Sequence, residues 1–174
     1  MIREVVVCLL TTALLSTVPS VEAQQPKKVP RIGFLMAASP ATTAPFTDAF
    51  RQGLRDLGYV EGKNIALEFC WAEGKRDPLP GLAAELVRLK VDVLVSGGGS
   101  SATRALKQAT NTIPIVMTAG SDPVAAGFVA SLARPGSNIT GLTLGGLELS
   151  GKRLELLKEA VPKLSRVVVL GNPD

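Results

Sequence analysis

The sequence predicts an α/β fold in which parallel strands alternate with helices. Short apolar runs rich in β-branched residues recur along the chain, and between them lie longer segments whose apolar residues repeat at helical spacing. The first run, Arg31–Ala37, is almost continuously apolar, which is typical of a strand buried on both faces of a parallel sheet. These observations together predict a parallel-sheet, Rossmann-like lobe.

A helix and a second strand are expected after the first strand. The helix places its apolar residues on one face, with Pro45 in its first turn and Gly58 at its end. The second strand, Ile65–Trp71, alternates between a strongly apolar and a mixed face, so we expect it near an edge of the sheet. The apolar face of the helix consists of Phe46, Ala49, Phe50, Gly53, Leu54 and Leu57.

The remaining elements continue the same alternation toward the end of the chain. In order, they are a helix at 80–90, a strand at 91–96, a helix with Ala102, Ala105, Leu106 and Ala109 on one face, a strand at 113–118, a helix at 123–133, a strand or crossover at 138–144, a helix at 150–161 and a strand at 166–170. The last helix and strand cannot bury their apolar faces alone. We therefore expect a first lobe at 24–144, and a crossover with the start of an incomplete second lobe at 145–174.

The amino-terminal residues have the pattern of a cleaved export signal. Arg3 precedes an apolar run at 5–15, and the small-residue pattern Val21-Glu22-Ala23 follows. The run is too short to span a membrane. We expect residues 1–23 to be removed after Ala23 and the rest to be periplasmic.

Composition excludes several classes of function. The net charge is +4, but the basic residues are scattered, which favours a solvated surface over a nucleic-acid interface. The sequence contains no histidine, which excludes Ser-His-Asp and Cys-His nucleophiles and His-ligated zinc. After cleavage Cys70 is the single cysteine, so no internal disulfide forms. We expect neither a metal nor a cofactor.

Ligands of open parallel sheets bind beyond the carboxyl ends of the strands, near the point where strand order reverses. Three loops there carry the candidate ligand-binding residues. They are Ser39 and Thr42 after the first strand, Gly98, Gly99, Ser100, Ser101, Ala102 and Thr103 after the third, and Ser121 and Asp122 after the fourth.

The glycine-rich loop after the third strand is the most informative of the three. Its glycines permit close backbone approach, and its hydroxyls stand at a helix amino end that attracts a carboxylate or phosphate. The alternatives are that Ser100 or Ser101 only caps the helix, that Asp122 only caps the next one, and that Ser39 and Thr42 only form a turn. The loop lacks a Walker lysine and does not match G-x-G-x-x-G, so nucleotide binding is not expected.

Several motifs together resemble the ABC transporter substrate-binding proteins of the tryptophan/tyrosine type. They agree in order and spacing over essentially the whole chain after residue 23. The motifs are Gly53–Ile65 (GLRDLGYVEGKNI), Ala72-Glu73-Gly74, Leu82–Val87 with Val91-Asp92-Val93, Ser121-Asp122-Pro123-Val124, and Leu132–Gly141 (LARPGSNITG).

The resemblance implies a type 1 periplasmic-binding-protein-like fold of two lobes that close around a small solute. It implies the solute-binding component of an ABC importer, with an inner-membrane permease as partner. The solute could be an amino acid, and a monomer is expected. Three alternatives remain: the sensory lobe of a receptor, a nonfunctional truncated relic, and an enzyme using Asp122 or Glu73 as base, which lacks a recognisable nucleophile–base pair.

Overall fold

Five parallel strands form one sheet at the centre of the protein. The computed structural model describes residues 28–120, 122–143 and 148–168, and the strand order within them is β2-β1-β3-β4-β5. All neighbouring strands run parallel, which confirms the predicted lobe. The strands are β1 (Arg31–Met36), β2 (Ala66–Trp71), β3 (Val93–Gly97), β4 (Ile115–Met117) and β5 (Ile139–Gly141).

Helices cover both faces of the sheet. They are α1 (Pro40–Asp56), α2 (Leu79–Arg88), α3 (Ser100–Ala109) and α4 (Glu148–Ala160). On one face α2 and α3 bury Leu86 and Leu106 against Leu35 and Leu94 of the sheet. On the other face Phe50 of α1 packs against a small cluster of Phe34, Met36 and Val95. Residues of β1 contribute to both clusters, so this strand is buried on both faces, as predicted.

The second strand lies at the edge of the sheet, as its alternating pattern predicts. β2 pairs with β1 along its whole length, and every one of its residues is only partly buried. Its Cys70 packs against the edge of the α2/α3 core. The pKa of the Cys70 thiol is raised, mainly by burial and further by the carboxylates of Glu85 and Glu68. The thiol is therefore protonated at neutral pH.

The first helix begins earlier than predicted. Ser39 is the N-cap, Pro40 occupies the first turn, and Pro45 lies inside the helix. Both prolines suit a first turn, but the Ser39 side chain accepts a bond from the Thr42 N–H and thereby fixes the start. The buried face consequently includes Thr43 and Thr47. Phe46 is 73% exposed and Leu57 is 76% exposed, and Ala49 and Gly53 are exposed as well. The predicted apolar face is therefore wrong at four of its six positions, and only Phe50 and Leu54 are partly buried.

The predicted helix at 123–133 is wrong. Residues 123–127 form a single turn that ends at Gly127, where φ is 70°. The Gly127 N–H donates to the Val124 carbonyl, and the Phe128 N–H donates to the Pro123 carbonyl. These two bonds are those of a Schellman motif, which ends a helix at a residue in the left-handed conformation. A glycine reaches this conformation without steric cost, so the apolar periodicity beyond it does not continue the helix.

The carboxyl-terminal part differs from the rest of the chain. α4 forms close to its predicted position, but its leucines are exposed: Leu154 and Leu156 are each 52% accessible. The predicted strand at 166–170 is not formed over residues 166–168, and its last two residues lie outside the described ranges. No helix among the described residues combines the length and apolarity needed to cross a membrane.

Candidate functional site

The strand order reverses at β1, and two loops meet there at the carboxyl edge of the sheet. β2 lies on one side of β1 and β3 on the other. The Ala37 N–H donates to the Gly97 carbonyl across 3.0 Å, so the loops that lead into α1 and α3 are in direct contact. Because α1 and α3 cover opposite faces of the sheet, their amino ends lie on opposite sides of this edge, and we call the region between them the crevice. The predicted binding loops after β1 and β3 lie at this edge, where ligands of open parallel sheets bind.

Glycines shape the loop that leads into α3. Gly98 and Gly99 have φ of 87° and 103°, a conformation that other residues rarely adopt. A side chain at Gly98 would also lie only 3.0 Å from the Ala37 Cβ. Glycines therefore allow this loop to lie directly against the end of β1.

A glycine stands at the amino end of α3. Gly99 is the N-cap residue, and it has no side chain with which to make a capping bond. Ser100 and Ser101 are the first two residues of the helix and are partly buried. Neither serine therefore acts as the N-cap, which was the alternative interpretation of the sequence. The backbone N–H groups of a first helical turn have no partner within the helix, and α3 begins at the carboxyl edge of the sheet, directly after β3.

Ala102 and Thr103 face the interior of the protein. Both are fully buried. The Thr103 hydroxyl lies 2.8 Å from the Ser96 hydroxyl, and this bond joins α3 to β3. The expectation that the Thr103 hydroxyl points toward a ligand is therefore wrong, because β3 supplies its partner.

Ser39 and Thr42 lie at the amino end of α1, on the other side of the crevice. Their hydroxyl oxygens are 3.0 Å apart, and the Thr42 N–H donates to the Ser39 oxygen at 3.4 Å. Ser39 is partly buried and Thr42 is exposed. Ser39 therefore caps the helix by accepting from Thr42, and the two hydroxyls pair with each other at this helix end.

Asp122 caps the turn that follows β4. One of its carboxylate oxygens accepts from the Val124 N–H at 2.8 Å and from the Ala125 N–H at 3.1 Å. This is the capping role that the sequence left open. Ser121 lies outside the described residues.

Two threonines at the carboxyl edge of the sheet were not selected from the sequence. Thr118, directly after β4, donates from both its backbone N–H and its hydroxyl to the Ser96 carbonyl, at 3.2 and 3.0 Å. Thr143, after β5, donates its hydroxyl to the Gly120 carbonyl at 3.4 Å. Both positions follow parallel strands, and that placement is the sequence signal that would have identified them.

An apolar groove of about 80 Å³ lies further along the same edge, beside β5. Its lining includes Met117, Leu132, Leu142 and Thr143 and none of the predicted site residues. It is open and lies away from the switch point. We therefore place the candidate site at β1 and β3 rather than in this groove. In the described ranges no three acidic or cysteine side chains are grouped so as to hold a metal ion.

Solved structures share this fold. A conserved domain protein from Vibrio cholerae O1 biovar El Tor aligns with a TM-score of 0.68 and 34% identity over 78% of this chain and 45% of its own. An ABC domain in complex with L-Trp from Streptococcus pneumonia aligns with a TM-score of 0.61 and 28% identity over 67% of this chain and 39% of its own. A ligand-free, open substrate-binding protein with adhesive properties from Clostridium difficile aligns with a TM-score of 0.63 and 31% identity over 78% of this chain and 45% of its own. The chain thus has the lobe of a periplasmic-binding-protein-like domain.

The family follows from the sequence match. Residues 37–174 match the family model described as ABC transporter substrate binding protein, and the chain belongs to that family. A tyrosine-binding protein of Clostridioides difficile (strain R20291) is 36% identical over 146 residues, which are 84% of this chain and 41% of the relative. The chain therefore spans less than half the length of these relatives. The family is described by binding rather than by catalysis.

Proposed function

We propose that this protein is the solute-binding component of an ABC importer and captures an α-amino acid at the carboxyl edge of its sheet. The observation that carries the proposal is the contact at the switch point between the loop that leads into α1 and the loop that leads into α3, in a chain that belongs to this family. Relatives are a tyrosine-binding protein and a protein in complex with L-Trp. These names support an amino acid as the solute, and an aromatic amino acid is the first candidate.

The amino end of α3 is the proposed carboxylate site. Its first-turn N–H groups carry the partial positive charge of the helix, and Gly99 brings the backbone close without a side chain in the way. Ser100 and Ser101 add hydroxyls beside them. Across the crevice, the hydroxyls of Ser39 and Thr42 at the start of α1 are proposed to contact the polar end of the solute.

The proposed setting of this binding is the periplasm. Residues 1–23 act as an export signal in this proposal, residues 24–144 form the first lobe, and residues 145–174 lead into a second lobe that closes over the solute. The partner is an inner-membrane permease, and the binding protein acts as a monomer. It performs no chemistry on the solute.

The decisive experiment is thermal unfolding of the full-length gene product with a panel of amino acids. A ligand that binds only the native state stabilises it by about 2.7 kcal/mol at a concentration of 100 Kd. We expect L-tyrosine or L-tryptophan to raise the midpoint and D-enantiomers to raise it less. No shift with any amino acid would refute the proposed ligand class.

Substitution of the serines tests the placement of the site. Replacing both Ser100 and Ser101 by leucine blocks the amino end of α3, so we expect binding to be abolished without unfolding. Gln108→Leu, at an exposed position near the other end of the same helix, is the matched control and leaves affinity unchanged. Parent-like affinity in the double variant would place the ligand elsewhere.

Export is tested separately by fractionation of an expressing Gram-negative host. We expect the protein in the periplasmic fraction with Gln24 as its amino-terminal residue. Recovery with residue 1 intact in the cytoplasm would contradict the proposed location without bearing on ligand binding.

A further inference from the structure

The single tryptophan of the chain lies next to the candidate site. Trp71 is the last residue of β2 and pairs with Met36 at the carboxyl end of β1. Its ring stacks on Phe69 with centroids 5.3 Å apart and planes 10° from parallel. Its indole N–H donates to the Thr43 hydroxyl oxygen at 3.2 Å. The side chain thus reaches from the sheet edge into the first turn of α1.

Thr43 passes this contact on to the N-cap of α1. Its hydroxyl donates to the Ser39 carbonyl at 3.0 Å, with the Pro40 carbonyl at 3.3 Å. One hydroxyl has one proton and two lone pairs, so Thr43 accepts from Trp71 and donates to Ser39 at the same time. Thr43 is 5% exposed, and water therefore does not compete for these bonds.

We propose that Trp71 is a positioning residue for ligand binding: through Thr43 it fixes Ser39 and hence the α1 side of the crevice. The inference rests on the proposed function, because it concerns the same site. Apolar burial alone fixes this end of α1 weakly, since its inward-facing residues there are threonines. A hydrogen-bonded chain anchored on a stacked aromatic ring supplies the missing constraint.

Thr47 provides a matched control within the same helix. It is 7% exposed, lies one turn after Thr43, and donates its hydroxyl to the Ala44 carbonyl at 3.0 Å. The two threonines share burial, helix face and a bond to a backbone carbonyl. They differ in the contact with Trp71, so a comparison of the two isolates the effect of that contact.

The experiment measures L-tyrosine affinity by calorimetry for the full-length protein and its variants. Thr43→Val keeps the side-chain shape and Trp71→Phe keeps the ring stacking, and each removes the hydrogen bond between the two residues. We expect each to weaken binding about threefold to tenfold, which corresponds to the loss of one hydrogen bond. The double variant should bind no more weakly than either single one, because both changes break the same chain. Thr43→Ser restores parent affinity, and Thr47→Val does not alter it.

A second readout follows the helix end without ligand. Amide hydrogen exchange in the first turn of α1 should accelerate in Thr43→Val and Trp71→Phe but not in Thr47→Val. Thermal midpoints identify any variant that fails to fold. If the parent binds and Thr43→Val binds equally well, or if the double variant loses the sum of both single effects, the positioning role is refuted. If the parent itself does not bind any amino acid, the proposed function fails, and the positioning role with it.

Discussion

The two faces of the sheet are packed in different ways. On the α2/α3 face, the buried residues form one large apolar cluster that includes Leu35, Leu86 and Leu94. On the α1 face, the buried cluster consists of Phe34, Met36 and Val95, surrounded by partly buried residues that include three aromatic rings besides Phe34. One face is stabilised by apolar burial, the other by ring contacts and polar bonds. Loss of one apolar side chain should therefore cost more on the α2/α3 face than on the α1 face.

The largest expected effect is on the α2/α3 face. Leu86 is fully buried, so Leu86→Ala should lower the free energy of unfolding by about 2–5 kcal/mol. Phe50 of α1 contacts Phe34 edge-on at 4.8 Å but is only partly buried, and Phe50→Ala should cost about 1–2 kcal/mol. Urea unfolding followed by Trp71 emission measures both. A larger loss of unfolding free energy for Phe50→Ala than for Leu86→Ala would show that the α1 face contributes more to stability.

The hydroxyl pair between β3 and α3 should give the next largest effect. Thr103→Val leaves the Ser96 hydroxyl buried without its partner, and we expect a loss of about 1–3 kcal/mol in the free energy of unfolding. The double variant Ser96→Ala, Thr103→Val removes both groups and should lose less than Thr103→Val alone. Equal losses would show that an unpaired Ser96 hydroxyl has no cost beyond that of the lost bond.

Removal of the Asp122 cap has a smaller expected cost. Asp122→Ala deletes the acceptor for two backbone N–H groups and should reduce stability by about 1 kcal/mol. Asp122→Asn keeps an acceptor oxygen and is the control. Should Asp122→Ala also abolish amino acid binding at a temperature where it is folded, its carboxylate would have a ligand role besides capping.

The smallest effect is a pH dependence at the start of β1. The side-chain bond from Lys28, followed by the Arg31 backbone N–H, lowers the pKa of Asp92 below its usual value. The associated stability is present above the unfolded-state pKa and is lost as pH falls through the lower folded-state pKa. Acid unfolding of Asp92→Asn should therefore lack this contribution. If the variant and the parent respond to acid in the same way, the pair of Lys28 and Asp92 does not contribute to stability.

Much of the sheet could be predicted because its signals are local. The continuous apolar run of β1 and the alternation in β2 specify a central and an edge strand directly. The start of α1 could not be predicted from periodicity, because Pro40 and Pro45 both suit a first turn and the Ser39 cap decides between them. The false helix at 123–133 has helical spacing, but the left-handed stop at Gly127 depends on backbone conformation rather than on apolar pattern.

The candidate site was located by topology rather than by side chains. Parallel strands bring the loops after β1 and β3 to one edge, and this follows once the strand order is known. Which hydroxyls face the crevice does not follow. Thr103 points inward because Ser96 of β3 lies opposite it, and Thr43 because α1 lies with its threonines on the sheet. Both contacts join residues of different elements, and sequence spacing within one element does not reveal them.

The inward orientation of Thr103 and the glycine N-cap at Gly99 leave the backbone amides and the Ser100 and Ser101 side chains at the amino end of α3. Amino acid substitution cannot remove a backbone N–H, except by proline. In the proposed function, these amides bind the carboxylate that all α-amino acids share, and preference among solutes depends on the residues around the rest of the ligand. Relatives would then differ in solute by changes at those residues, with the proposed carboxylate site unchanged.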